Sequence, residues 1–401
     1  MSKPVKDRPL FPNHIEKIAT IKQRQKDLGT REYSSDVLST AEHLGIKQPI
    51  MTCAQRDNKY TKHNTYGVEL EISTDLSATE LVDCTDYPFF IIKKDSSIAR
   101  CRNHSLEVVG VPATLKANSI LWSRWAEKVI DKCENDLGRI GGRDGTNGMH
   151  VHVARDNFID TRHLRNFLVF MNAPWHVWFI FQMSDRVEYN NLERWAKPCT
   201  MQAGVAFNRW VKDISTNCRA QDKYAFTNMR HSSTVEVRIF QGDLSAASIV
   251  KNLQFVDSVV EFTKERSAAT CDLKYYMKWL ESTDKNRYQE LKQFLTQIDW
   301  NGVWEEFKFW KFLYKVGKPA FAKKMEGQKV EIKSSYNTGL WDRVCNARLN
   351  TSCTTRPVGE EETDLIIVAE FKKPKTTRLF SHHKTTVNRY SRIRSFVSEA
   401  A

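Results

Sequence analysis

Three short segments place chemically active residues two apart. They are Glu69 and Glu71 in YGVELEIS, His150 and His152 in MHVHVA, and Glu236 and Arg238 in TVEVRIF. A fourth segment, LEVVGV, adds Glu107. In an extended chain, side chains two residues apart share a face. The apolar neighbours (Val68, Leu70, Ile72; Met149, Val151, Val153; Val235, Val237, Ile239) then take the opposite face. An antiparallel sheet often has one solvated side, but such surfaces mostly use Thr, Lys, Ser and Arg. These segments offer carboxylates, imidazoles and one guanidinium instead. Carboxylates alone on adjacent strands repel, and a divalent cation relieves that repulsion. Glu and His suit Mg²⁺ or Mn²⁺ where phosphates complete the shell. Arg238 would present a fork of donors to a phosphate oxygen. The chemistry implied is metal-assisted handling of a phosphorylated ligand.

Two neighbouring segments fit that chemistry. RIGGRDGTNGMH brings Gly141, Gly142, Gly145 and Gly148 to the start of the histidine segment, where backbone can approach phosphates closely. It matches no Walker or dinucleotide pattern. Asp95, in the turn DSS, precedes the Glu107 segment and is either a plain turn residue or one that the turn also presents to the site. A reaction needing a general base has Glu107, Asp95 or a histidine available.

The elements that must position these residues follow from periodicity. Strands are expected at Tyr66–Ser73, Phe89–Lys93, Leu106–Val111, Met149–Ala154 and Thr234–Phe240. Helices are expected at Leu115–Leu137, Thr161–Met183 and Ala246–Thr263, then at Leu273–Leu280, Tyr288–Ile298 and Val303–Leu313. Separated strands joined partly by long helices predict an α+β fold with a mainly antiparallel open sheet, flanking helices and a helical C-terminal extension. The domains expected are a basic, partly helical extension over 1–62, a catalytic core over 63–268, a helical extension packing on it over 269–316, and an irregular basic tail over 317–401. A strand-like run at Leu365–Phe371 interrupts that tail.

The formal charge of +13 is confined to the ends. Residues 1–65 hold 12 Lys/Arg against 7 Asp/Glu and residues 313–401 hold 17 against 9, which leaves the middle neutral. The termini could therefore touch a polyanion, and a nucleic-acid-binding role is one alternative for the chain. The nine cysteines are scattered without a CxxC pair, and Met1–Asn13 is polar and proline-interrupted. Free thiols and a cytoplasmic setting are expected. The most apolar stretch, Phe167–Phe181, is broken by Asn172, Pro174 and His176, so no membrane span is expected. HxH with a distant Glu also suits a metal-dependent oxygenase, a second alternative. That chemistry needs a further histidine, and His104, His176 and His231 lie in helix or turn contexts.

Taken in order, GVELEI, DSSI, SLEVVGVPATL, GMHVHV, KYAFTN and TVEVRIFQG resemble the amidoligase family, whose fold is related to glutamine synthetase and glutamate–cysteine ligase. The resemblance covers about residues 64–265. It implies a glutamine synthetase-like catalytic fold and ATP-dependent joining of a carboxylate to an amine through an acyl-phosphate, with Mg²⁺ or Mn²⁺. The substrates would be small-molecule or peptide carboxylates and amines, and the related synthetases assemble into oligomers. The resemblance further implies metal binding by Glu69, Glu71, Glu107, His150 and Glu236, and nucleotide or substrate binding by His152, Arg238, Arg186 and Asn228, with Tyr224 in the same YxxxN segment. Catalytic roles fall to Arg238, Glu107 and Asp95. Where the family often has Gly after the turn Asp and Ser-Pro-Pro after Glu-Val-Val, this chain has Ser96 and Gly110-Val111-Pro112. A catalytically degenerate member of the family is a third alternative.

Overall fold

The computed structural model describes residues 64–76, 81, 90–95, 98, 104–132, 140–141, 147–186, 196–199, 207–220, 223–284, 286–316, 329–334, 365–370 and 394–395. The expected N-terminal helices and most of the basic tail lie outside these residues. Two compact units are present. One comprises residues 1–172, 179–199 and 211–298, and the other residues 173–178, 200–210 and 299–401.

The first unit is α+β. Its sheet contains β1 (Tyr66–Thr74), β2 (Phe90–Lys94), β3 (His104–Gly110), β4 (Ile140–Gly141), β5 (Gly148–Ala154), β6 (Thr227–Asn228) and β7 (Thr234–Gln241). The order is β2-β3-β1-β5-β7-β6, with β4 paired to β1 off that path, and every pairing is antiparallel. The helices are α1 (Leu115–Lys132), α2 (Thr161–Asn172), α3 (Val177–Ser184), α4 (Phe207–Ala220), α5 (Ala246–Thr263), α6 (Leu273–Ser282) and α7 (Gln289–Leu295). Of these, α3 and α4 have residues assigned to both units.

Period-two patterning sends Val68, Leu70 and Ile72 to the helix-covered face, where each is at most 2 % exposed. A fully buried valine or leucine contributes about 1.5–3 kcal/mol over an exposed one. Behind β2, Phe90 meets Trp122 of α1 edge-on with ring centroids 5.0 Å apart. Behind β7, Phe240 meets Phe255 of α5 at 6.2 Å. Asn118 of α1 donates to the Tyr66 and Ala113 carbonyls at 2.9 Å each, fixing the start of β1. Tyr66 itself reaches through to α5 and donates to Asp257 at 2.7 Å.

The structure amends several expectations. The helix expected over Thr161–Met183 is divided into α2, a 3₁₀ turn at Pro174–His176 and α3. Pro174 has no backbone N–H to continue the ladder, which explains the break. Helix α4 was not expected from periodicity. The first unit continues through α6 and α7 because Tyr276 bonds Ser258 at 2.7 Å and Tyr288 donates to Asp257 at 2.8 Å. No described helix is long and apolar enough to cross a membrane.

The second unit holds α8 (Trp300–Val316) and a three-stranded antiparallel sheet, order β10-β9-β8, from β8 (Lys329–Ser334), β9 (Leu365–Glu370) and β10 (Arg394–Ser395). The strand-like run in the tail is therefore β9, and its partner β8 was not expected. Within this unit His176 stacks on Phe307, and the Lys311 ammonium sits 4.2 Å over the Trp175 ring.

Candidate metal centre

The sheet register assembles the polar residues directly. Glu69 of β1 lies opposite His150 of β5, Glu71 opposite Glu107 of β3, and His152 opposite Glu236 of β7. Asn228 of β6 lies opposite Glu236 from the other side. Neighbouring strands present these pairs on the face turned away from α1 and α5. The side chains are withdrawn from water: His150 is 6 % exposed, His152 8 % and Glu236 3 %.

Glu69, His152 and Glu236 each offer a donor atom, and the three atoms lie within 4.8 Å of one another. The Nε2 of His152 is 3.2 Å from Glu69 Oε2. That nitrogen is nevertheless buried without a hydrogen bond. Short distance and poor alignment together leave a lone pair or N–H aimed into the cluster and unsatisfied. Arg238 Nε is buried in the same condition. An unpartnered imidazole nitrogen beside carboxylates, on strands that converge, is the arrangement a cation would complete, whereas the Arg238 Nε–H is a donor that an anion would satisfy. Two oxygens and an imidazole suit a divalent ion.

His150 stands at the centre of the carboxylates, 3.5 Å from Glu236, 3.7 Å from Glu71 and 3.8 Å from Glu69. Burial lowers its basicity and Arg238 opposes its charge, but Glu71, Glu69 and Glu236 together move its pKa above the ordinary value. Glu236 shows the complementary shift. Burial raises its pKa, but His150, Arg238 and His152 outweigh that and hold it below the usual carboxylate range. The resemblance puts His150 with the metal and His152 with nucleotide; the geometry puts His152 in the three-residue set and keeps His150 within reach of the same carboxylates.

Arg238 donates through Nη1 to Glu236 Oε1, and its guanidinium lies 5.9 Å from the Tyr224 ring centre. Asn228 donates to Glu236 Oε2 at 2.7 Å and accepts from the Arg230 N–H at 3.0 Å. One end of its amide thus holds the carboxylate while the other is anchored to the backbone at Arg230. Arg186, expected at the cofactor, is 5 % exposed and donates to the Ile239 and Phe240 carbonyls at 3.0 Å. Those carbonyls lie at a register shift, where β7 carries one residue more than β5 between the Met149 and Val151 pairings. Strict alternation would place Phe240 beside Glu236 and Arg238; the bulge turns it to the helices instead. Burial lowers the Arg186 pKa to about 10, against the upward pull of Glu71, so the group remains cationic at neutral pH.

Glu107 and Glu71 are half-buried neighbours at one edge of the cluster, with Glu71 Oε2 accepting from Gly148 N at 2.7 Å. Asp95 follows β2, and its N–H donates to Ser105 O at 3.0 Å. It therefore lies a row beyond Glu107, outside the group formed by Glu69, His152 and Glu236. Gly142 and Gly145 fall outside the described residues, while Gly141 pairs with Ser73.

One residue at the rim of the cluster lies outside the strand pattern. His231 precedes β7 in an exposed turn, with Nε2 3.7 Å from Glu236 Oε2 and its ring centre 5.9 Å from that of His152. A turn has no face periodicity, so spacing could not have located it. A cavity of about 840 Å³ opens elsewhere, lined by Lys116, Asp257, Glu261 and Arg287 and by none of the strand-borne cluster. Cys199, Cys218 and Cys271 are free and buried.

No family model matches this chain, and no curated relative is found for it.

Proposed function

We propose that the chain is an ATP-dependent carboxylate–amine ligase of the amidoligase type, built on a glutamine synthetase-like sheet and working with Mg²⁺ or Mn²⁺. The observation that carries this reading is the gathering of Glu69, His152 and Glu236 from three antiparallel strands within 4.8 Å, around an unsatisfied buried imidazole nitrogen.

Transfer of a γ-phosphoryl group to a carboxylate brings two anions together, so catalysis is mainly positioning and charge neutralisation. Divalent cations held here would offset the phosphates' negative charge. Glu69, His152 and Glu236 are the residues that would hold one such ion, with Glu71, Glu107 and His150 as neighbours for a second. Arg238, 15 % exposed at its side chain, is the cation available to transferring phosphate, and Glu236 keeps it aligned. Arg186 adds fixed positive charge without leaving its backbone carbonyls. The low exposure of the site keeps water from an acyl-phosphate until the amine arrives. The Glu71–Glu107 edge supplies carboxylates to accept the amine proton, and Asp95 lies one row farther out.

The test is amine-dependent ADP release from ATP with Mg²⁺ or Mn²⁺ across a panel of carboxylates and amines. Glu236→Ala and Glu69→Ala are expected to abolish turnover while the circular dichroism spectrum stays native. Full turnover in either variant would remove the metal assignment. Absence of nucleotide-assisted metal binding in the wild type would remove the ligase reading.

A further inference from the structure

The strand-borne donors are dominated by oxygen, a composition that fits Mg²⁺. The structure adds a nitrogen at the rim. His231 is 55 % exposed at its side chain, and its Nε2 is 3.7 Å from Glu236 Oε2, the oxygen that Asn228 also holds. Its ring stands edge-on to His152, the imidazole of the three-residue set.

The backbone beneath it is fixed. Arg155 donates to the carbonyls of His231 at 2.7 Å, Met229 at 3.0 Å and Thr234 at 3.4 Å, so one guanidinium clamps both ends and the middle of the turn. An exposed imidazole on a clamped turn changes rotamer within nanoseconds while its Cα stays in place. Glu236 remains able to accept more than its present donors, since an ionised carboxylate offers about four lone-pair sites.

We propose that His231 is a fourth, mobile ligand of the Glu69–His152–Glu236 centre, and that it makes the centre selective for transition-metal ions over Mg²⁺. This rests on the metal reading of the site and goes beyond it. Two imidazoles and two carboxylates form a donor set that favours Mn²⁺, Co²⁺ and Zn²⁺, whereas Mg²⁺ prefers oxygen ligands and retains its waters. Because the ring enters from solvent, a substrate or phosphate oxygen can displace it without moving a strand.

The experiment uses the full chain and metal ions alone. Mn²⁺, Co²⁺ and Mg²⁺ affinities are measured by calorimetry for wild type, His231→Ala and His231→Gln, and pulsed electron paramagnetic resonance of bound Mn²⁺ reports coordinated imidazole nitrogen. His231→Ala is expected to weaken Mn²⁺ and Co²⁺ on the order of tenfold to a hundredfold, to leave Mg²⁺ within about twofold, and to remove one imidazole nitrogen from the Mn²⁺ spectrum. His231→Gln should behave as His231→Ala does. The residue is exposed, so native thermal midpoints are expected for both variants. Equal losses for all three ions would overturn the selectivity, an unchanged nitrogen count would overturn the ligand role, and either leaves the three-residue centre standing. Wild type that binds none of the ions would overturn the centre itself.

Discussion

Asn228 holds Glu236 by its far oxygen, 2.7 Å from amide nitrogen to carboxylate, while Arg238 holds the near one. The two strands bearing Asn228 and Glu236 place them directly opposite each other. Such a partner orients a ligand without touching the metal, and removing it commonly weakens metal affinity tenfold to a hundredfold. Asn228→Ala is expected to lower Mn²⁺ affinity by about tenfold, measured by calorimetry, with the fold retained. Asn228→Asp should be worse, because it sets a carboxylate against Glu236. Unchanged affinity in both would show that Arg238 alone fixes the carboxylate.

Gly148 begins the histidine strand where backbone and site meet. A Cβ there would lie 3.2 Å from both Glu71 Oε2 and His150 Nε2, and 3.5 Å from Arg186 Nη2. These are ends of side chains, so the fold can accommodate the methyl group, but only by displacing groups of the candidate metal centre. Gly148→Ala is expected to cut nucleotide-assisted metal binding on the order of tenfold, with the unfolding midpoint nearly unchanged. A large drop in midpoint with intact binding would mean that the strand, not the site, takes the strain.

How much of this was legible depends on whether a residue lies on a regular strand. Glu69, Glu71, His150, His152 and Glu236 were found by two-residue spacing, and the register brings them together as that spacing implies. Phe240 was not placed by it, because a bulge in β7 adds a residue that alternation does not anticipate. His231 lies on a turn and reaches the site through Arg155, a contact 76 residues away in sequence. The break at Pro174 was signalled by the proline within the run, yet continuous apolarity on either side favoured one helix. Helix α4 has the apolar and polar alternation of a surface helix, with Trp210, Ile214 and Cys218 buried along one stripe that the sequence itself carries.

Tyr66 ties β1 to the helix layer. Its hydroxyl and that of Tyr288 donate to the two oxygens of Asp257 at 2.7 and 2.8 Å, and Arg287 approaches at 3.4 Å. Burial drives the Asp257 pKa up, and these donors pull it back only in part. Tyr66→Phe leaves a buried carboxylate oxygen short of a donor and is expected to cost about 1–3 kcal/mol. Urea unfolding measures it. In an Asp257→Asn background the same change should cost less, because the acceptor is no longer ionised. Equal costs in both backgrounds would show that Tyr66 acts by packing alone.

Lys251 gives the fold a pH dependence of known sign. It is 2 % exposed in α5, donates to the Met183 carbonyl at 2.9 Å and lies 4.1 Å over the Phe294 ring. Burial lowers its pKa from 10.5 to about 8, against the attraction of Asp185 and Asp243. Below pH 8 the amine is charged in both folded and unfolded chains, and the full cost of burying that charge is present. Between about 8 and 10.5 the unfolded chain binds more protons than the folded one, so stability rises with pH. Above that window the cost is gone. Lys251→Met preserves length and deletes the titration, at a pH-independent loss of the bond to Met183. The stability of wild type minus that of the variant is therefore expected to rise by at most about 3 kcal/mol from pH 7 to pH 10.5. Denaturant unfolding at several pH values reads this difference. A flat difference would mean that the amine reaches water in the folded protein and that its burial carries no electrostatic cost.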